Sequence, residues 1–275
     1  MFRFIKGHGL GNDFLILEGE GLASALSEER VRAICDRRRG LGADGVLILE
    51  EGANGLPFMR IFNADGSQPE MCGNGLRVFA LYLVQNLGYA AADLQIDTPA
   101  GIRSVHVWPS PQSASGNIRV DMGCAAGAKD LVNVEYEGNG IKGAVSGVAV
   151  SMGNPHFVIV DETCPVTETQ ATSLGPILEF HPAFPHGTNV EFVERLAPDA
   201  LRVFVWERGC GLTQACGTGA CAAVVVAARE GRVDFNRDVK VALPGGELVI
   251  KVESGSERVW MTGPAVLVGE GELRI

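Results

Sequence analysis

A four-residue phrase occurs twice, and that repetition limits what this chain can fold into more than any other feature. Cys72-Gly73-Asn74-Gly75 and Cys216-Gly217-Thr218-Gly219 each follow a strand-like run, Met59-Arg60-Ile61-Phe62 and Leu201-Arg202-Val203-Phe204. Each also precedes an apolar run with helical character, ended by Gly88 in one case and Gly231 in the other. The two cysteines lie 144 residues apart. Gly11-Asn12-Asp13-Phe14 is answered 142 residues later by Gly153-Asn154-Pro155-His156. Pro99 and Pro244, in the turns Thr98-Pro99-Ala100-Gly101 and Leu243-Pro244-Gly245-Gly246, are 145 apart. Three landmarks at nearly one offset predict a tandem duplication: two similar domains, related by a pseudo-two-fold, with equivalent loops meeting at a cleft.

Short strands dominate the pattern, punctuated by glycine turns, with one principal helix per half. That grammar predicts an α+β fold in which a curled, mainly antiparallel, barrel-like sheet surrounds a central helix in each domain. The Ser- and Pro-rich stretch Pro109 to Gly116 is the best linker candidate. The expected halves are therefore residues 1–116 with 264–275, and residues 117–263.

At 275 residues and 46% hydrophobic content, the chain can bury a proper core. A net charge of -10 argues against nucleic acid or an anionic membrane as partner. No apolar run reaches spanning length, and the first residues lack a signal-peptide pattern, so the expectation is a cytoplasmic protein. The seven cysteines contain no C-x-x-C pair and no histidine at zinc-finger spacing, so no metal is expected. Cys35, Cys124 and Cys164 are expected to be buried filler.

A cysteine at a helix start sits at the positive end of the helix dipole, which favours thiolate. The following glycines let backbone N–H groups approach a carboxylate. Two such sites facing each other suit the removal of a proton from one face of an α-carbon and its return to the other, thiolate as base and thiol as acid. Taken alone, the pair suits a redox-sensing or structural role as well. Asn12, Asn63, Asn74, Asn154 and Asn189 lie at strand-to-loop junctions. With Glu207-Arg208 beside the second cysteine loop, they suggest recognition of a second carboxylate and an ammonium group. His156 could tune a thiolate.

These phrases resemble the diaminopimelate epimerase family. The carriers are His8-Gly9-Leu10-Gly11-Asn12-Asp13-Phe14, Asn63-Ala64-Asp65-Gly66-Ser67, Met71 to Gly75, Met152 to His156, Glu207 to Cys221 and Met261-Thr262-Gly263-Pro264-Ala265. The resemblance implies a cofactor-independent isomerase that interconverts LL- and meso-diaminopimelate, on the lysine and peptidoglycan-precursor route. It implies Cys72 and Cys216 as the acid/base pair. Asn12, Asn63, Gly73, Asn74, Asn154, Asn189, Glu207, Arg208, Gly217 and Thr218 would contact substrate, and His156 and Glu207 would support the thiols. It further implies a final strand after Gly263 that returns to the first domain, no membrane or nucleic-acid partner, and a homodimer. Gly45, Leu212 and Gly269 depart from the family pattern, where glutamine, an acidic residue and an aromatic are common. Rival readings are a proline, hydroxyproline or histidine racemase of the same fold, or a non-catalytic binding or redox-switch protein.

Overall fold

The computed structural model describes every residue except Met1, Glu20, Ala128, Lys129, Asn139, Glu162, Thr163 and Ile275, and the side chains of Ala23, Ser24 and Ala53. Met1 and Ile275, at the outer limits of the expected first half, thus lie outside the described residues. The chain divides into two compact units, Met1–Asp121 with Thr262–Ile275, and Met122–Met261.

The first unit opens with β1 (Phe2–Gly9) and β2 (Asn12–Glu18), paired antiparallel across the Leu10-Gly11 turn. Both turn residues have positive φ, which the glycine adopts without steric cost. A short α1 (Leu22–Ala25) and α2 (Glu28–Cys35) cross back, so that β3 (Gly45–Glu51) pairs parallel to β2. Ser27 caps α2 by accepting from Arg30 N at 3.3 Å. β4 (Pro57–Asn63) pairs antiparallel to β3, and α3 (Gly73–Leu87) follows it. Gly88 ends α3 in the left-handed conformation, φ 72°. Then come β5 (Leu94–Ile96), β6 (Arg103–Pro109) and β7 (Ser115–Cys124). The sheet curls back on itself, since β5 leads into a parallel bridge between Asp97 and Phe58 of β4.

The second unit repeats this plan. β8 (Leu131–Gly138) pairs with β9 (Ile141–Ser151), and β9 forms a hairpin with β10 (Pro155–Val160). α4 (Glu168–Glu179) carries the chain to β11 (Asn189–Ala197), parallel to β10, and β12 (Ala200–Glu207) pairs antiparallel to β11. After the two-residue β13 (Gly211–Leu212) comes α5 (Gly217–Arg229), then the hairpin of β14 (Asp238–Leu243) and β15 (Gly246–Val252). The last strand, β16 (Arg258–Leu273), passes from the second unit into the first, where its end pairs antiparallel with β1. Hairpin, helix, parallel strand, antiparallel strand, cysteine, buried helix and hairpin occur in the same order in both units.

Strands between two helices are apolar on both faces. Leu15, Leu17, Val46 and Ile48 pack toward α2 with Val31 and Ile34. Alternation along the strands turns Phe14, Ile16, Gly45 and Leu47 to the opposite face, toward α3. In the second unit Phe157, Ile159, Val190 and Phe192 pack with Ala171 and Leu178 of α4, which leaves His156, Asn189 and Glu191 on the α5 side. α3 is buried from Gly73 to Leu83, and α5 at almost every position from Gly217 to Ala228. Each fully buried Leu or Val there contributes about 1.5–3 kcal/mol.

Two expectations need correction. The segment 109–116 is no linker but the turn of the β6–β7 hairpin, with Pro109 opposite Gly116. Serine, proline and glycine serve tight turns as readily as linkers. Cys124 and Cys164 are exposed rather than buried, while Cys35 is buried and its thiol is pushed up to about 11 by desolvation. Cys124 and Cys164 lie at or beyond the end of a strand, where no core awaits them. No helix among the described residues is long and apolar enough to cross a membrane.

Candidate active site

Both repeated cysteines are helix N-caps. Cys72 has extended backbone and its Sγ accepts from Gly75 N, third residue of α3, at 3.4 Å. Cys216 does the same for Gly219 N of α5, also at 3.4 Å. The thiols thus take the place that a serine or aspartate oxygen usually fills, satisfying one of the orphan N–H groups of the first turn. Cys72 is half-buried, whereas Cys216 is 4% exposed.

Around Cys72, Asn74 donates Nδ2 to Asn12 Oδ1 at 3.1 Å, and Asn12 donates Nδ2 to Asp44 Oδ2 at 2.9 Å. Asp44 also accepts from the backbone N of Asp13 and from Arg37 Nη2 at 2.8 Å. Arg37 and Lys6 both pair with Asp13, at 2.6 and 2.9 Å. The β1–β2 turn is therefore tied to the helix start by a chain of side chains. Asn63 stands apart: it is exposed and donates to Ser67 Oγ in its own turn, at 2.9 Å. Gly45 faces it across β3–β4. A Cβ at Gly45 would lie 2.6 Å from Phe62 O, so this backbone leaves no room for a side chain there. At the other departures, Leu212 packs against the apolar cluster of α4 and Gly269 faces open space.

Around Cys216 the set is different. Thr218 Oγ1 lies 3.6 Å from Cys216 Sγ and accepts from Asn154 Nδ2 at 3.3 Å. Asn154 Oδ1 is 2.9 Å from His156 Nε2, and His156 Nδ1 is 2.7 Å from Glu191 Oε1. Both members of that pair are fully buried. A second group surrounds the β12–β13 turn. Asn189 donates Nδ2 to Pro155 O at 2.7 Å and accepts from Arg208 N at 3.0 Å. Glu207 Oε1 accepts from Thr213 Oγ1. Arg208 is exposed, and its Nη1 donates to His186 O at 3.0 Å.

The helix-dipole argument for a lowered thiol pKa fails at Cys216. Burial pushes its pKa well above the ordinary value, and the Glu207 and Glu191 carboxylates push the same way. The Thr218 hydroxyl and the Gly219 N–H pull down but do not win. Burial likewise raises the pKa of Glu191, against the influence of His156.

The sequence pattern did not single out Asp44, Glu179 or Glu191. Buried Glu179 accepts from Trp206 Nε1 at 2.8 Å and from Gly209 N at 2.7 Å, clamping the turn that carries Glu207 and Arg208. Its only sequence signal is an acidic residue inside an apolar helix face. Glu191 was findable by aligning the halves, since an apolar residue stands at its counterpart.

The fold is that of a class of amino-acid racemases and epimerases. A probable proline racemase from Agrobacterium radiobacter K84 superposes with TM-score 0.74 at 16% identity, over 100% of this chain and 93% of that one. A hydroxyproline epimerase from Agrobacterium vitis gives 0.73 at 14%, over 98% and 91%. The profile of the family described as diaminopimelate epimerase matches residues 4–126 and 148–268. Relatives named diaminopimelate epimerase include one from Synechococcus sp. (strain JA-2-3B'a(2-13)), 45% identical over 98% of this chain and 96% of its own length. Another, from Carboxydothermus hydrogenoformans, is 43% identical over 98% of both. The chain belongs to the diaminopimelate epimerase family.

Proposed function

We propose that this protein interconverts LL- and meso-diaminopimelate by two-base proton transfer, serving lysine biosynthesis. The observation that carries the reading is the doubled cysteine cap: one thiol at the opening of each buried helix, in equivalent positions of a duplicated fold. In this reading each half supplies one catalytic residue, Cys72 or Cys216, on opposite faces of the substrate α-carbon. One thiol is ionised and takes the proton, while the other delivers its own to the opposite face. The roles exchange with the direction of reaction.

The substrate carboxylate beside the reacting carbon would lie against the N–H groups of Gly73, Asn74, Gly217 and Thr218. Preorganised helix-end donors stabilise the charge that develops there as the carbon loses its proton. Asn12, Asn63, Asn154, Asn189, Glu207 and Arg208 would receive the distal ammonium and carboxylate, and His156 and Glu207 would support the thiols. The substrate ammonium would offset the carboxylates that add to burial in raising the pKa of Cys216. A thiol pair supplies both proton acceptor and proton donor, so the mechanism calls for no cofactor. We infer a soluble, cytoplasmic enzyme that acts on a small molecule and works as a homodimer.

The test is α-hydrogen exchange. Incubation of the reduced protein with LL-diaminopimelate in deuterated water is expected to give meso product carrying α-deuterium. Absence of both would overturn the reading. Cys72→Ala and Cys216→Ala are each expected to abolish epimerisation, while Cys35→Ala leaves it intact. Normal turnover by either site variant would refute the two-base mechanism.

A further inference from the structure

The two repeats differ at one buried pair. β2 pairs parallel to β3 with Phe14 opposite Gly45, and β10 pairs parallel to β11 with His156 opposite Asn189. The next strand pairs Leu47 with Ile61 in one unit and Glu191 with Val205 in the other. His156 therefore occupies the place of Phe14, and Glu191 that of Leu47. All four are buried, at 1%, 2%, 0% and 0% exposure for His156, Phe14, Glu191 and Leu47. The helix glycines agree with this alignment. A Cβ at Gly75 would meet Leu47 Cδ2 at 3.3 Å, and one at Gly219 would meet Glu191 Oε1 at 2.9 Å.

The first unit thus demonstrates that this fold fills the place with a phenylalanine and a leucine. A buried ionisable pair is more costly than apolar residues of similar volume. Stability does not account for the pair in the second unit, so the neighbouring geometry must be considered.

What differs next to the pair is the orientation of the loop asparagine. In the first unit the Asp44 carboxylate, which only accepts, takes the Asn12 amide N–H, so Oδ1 is the atom presented to Asn74. In the second unit Asn154 is turned the other way: Oδ1 faces His156 Nε2, and Nδ2 is presented to Thr218 Oγ1. This orientation requires a proton on Nε2, because a carbonyl oxygen can only accept. Glu191 and His156 Nδ1 share one proton. Whether it sits on oxygen or nitrogen, Nε2 keeps its own. With its oxygen accepting from Asn154, the Thr218 hydroxyl has its hydrogen free for the sulfur of Cys216 at 3.6 Å.

We propose that Glu191 is a positioning residue for the Cys216 thiol: it holds His156 in the Nε2–H form, which orients Asn154 and through it the Thr218 O–H toward Cys216 Sγ. The proposal rests on the epimerase reading, and it identifies what makes the two half-sites chemically unlike. The chain of donors runs in one direction only, from His156 to the sulfur, and stabilises the thiolate that forms there during each turnover.

The test uses the full-length protein with 15N-labelled histidine. Wild type is expected to show the His156 Nε2–H form. Glu191→Leu, which copies the first repeat, is expected to lose that preference and to reduce kcat by about ten- to a hundredfold with little change in KM. Glu191→Gln can donate its amide to Nδ1, so it is expected to restore both the tautomer and most of the rate. The double variant His156→Phe/Glu191→Leu reproduces the apolar pair of the first unit; it is expected to fold, by circular dichroism and thermal melting, and to remain slow. An unchanged tautomer with wild-type kcat in Glu191→Leu would overturn the proposal. So would wild-type kcat in the double variant, or a Glu191→Gln protein as impaired as Glu191→Leu. The tautomer is read without substrate, so failure of the epimerase reading would appear separately, as a wild-type protein that keeps Nε2–H and exchanges no α-hydrogen.

Discussion

Cys72 and Cys216 hold the same place in the repeat, yet their surroundings differ in charge. Cys216 is walled in and stands near the carboxylates of Glu207 and Glu191, which keep it a thiol. Alkylation depends on the thiolate. The labelling rate of Cys216 by iodoacetamide, followed by peptide mass spectrometry, is expected to rise with its inflection above the ordinary pKa of 9.0. Glu207→Gln removes one negative neighbour and is expected to move that inflection down. An inflection near neutral pH in wild type would mean that the helix end outweighs burial. A second residue-scale effect lies at Glu179. Glu179→Ala leaves Trp206 Nε1 and Gly209 N without their buried acceptor. A loss of about 2–4 kcal/mol in urea unfolding is expected, together with a higher KM as the Glu207-Arg208 turn loosens. Equal stability and KM would refute the clamp.

At the scale of elements, the two central helices are set by their ends. Each starts where a cysteine replaces the usual oxygen cap, and α3 stops where Gly88 turns left-handed. A Cβ at Gly88 would meet nothing within 4 Å, so Gly88→Ala isolates the conformational cost. The expectation is about 1 kcal/mol lost in chemical denaturation, with activity retained. Such ends were legible in the sequence, because glycine and cysteine there have few other uses. Other elements were not. β8 alternates, with Leu131, Asn133, Glu135 and Glu137 exposed and Val132, Val134 and Tyr136 turned inward, but only Val134 is fully buried, so its apolar signal is weaker than that of the core strands. β16 runs straight through Gly263-Pro264, a pair that ordinarily interrupts a strand. Its proline continues the strand, and its carbonyl accepts from buried Arg77 Nε at 3.3 Å. Glu191 was hidden for another reason. A lone glutamate in an apolar strand looks like a solvent-facing position; the apolar counterpart Leu47 in the other half and the partner across the sheet, His156, are what show that it faces the helix.

At the scale of the whole molecule, duplication explains why the C-terminal strand belongs to the first unit. In the second unit the strand beside the β9–β10 hairpin is β8, which immediately precedes it in the chain. In the first unit the equivalent edge, beside β1, is filled by the end of β16. That strand covers β1 from Phe2, opposite Leu273, to His8, opposite Val266. Without it β1 would present an unpaired row of N–H and C=O groups and a bare apolar flank. A chain truncated after Met261 is therefore expected to lose hydrogen-exchange protection across residues 2–18 and around α3, while α5 and β10 stay protected. Buried Arg77 would also lose its acceptor at Pro264, which adds to the damage at the start of α3. The thiol of Cys72 would then sit on a frayed helix, and epimerisation would fall with the protection. Uniform loss of protection in both units would show that they fold as one cooperative block. Full protection of β1 in the truncated chain would show that its pairing with β16 contributes nothing to the stability of the first unit.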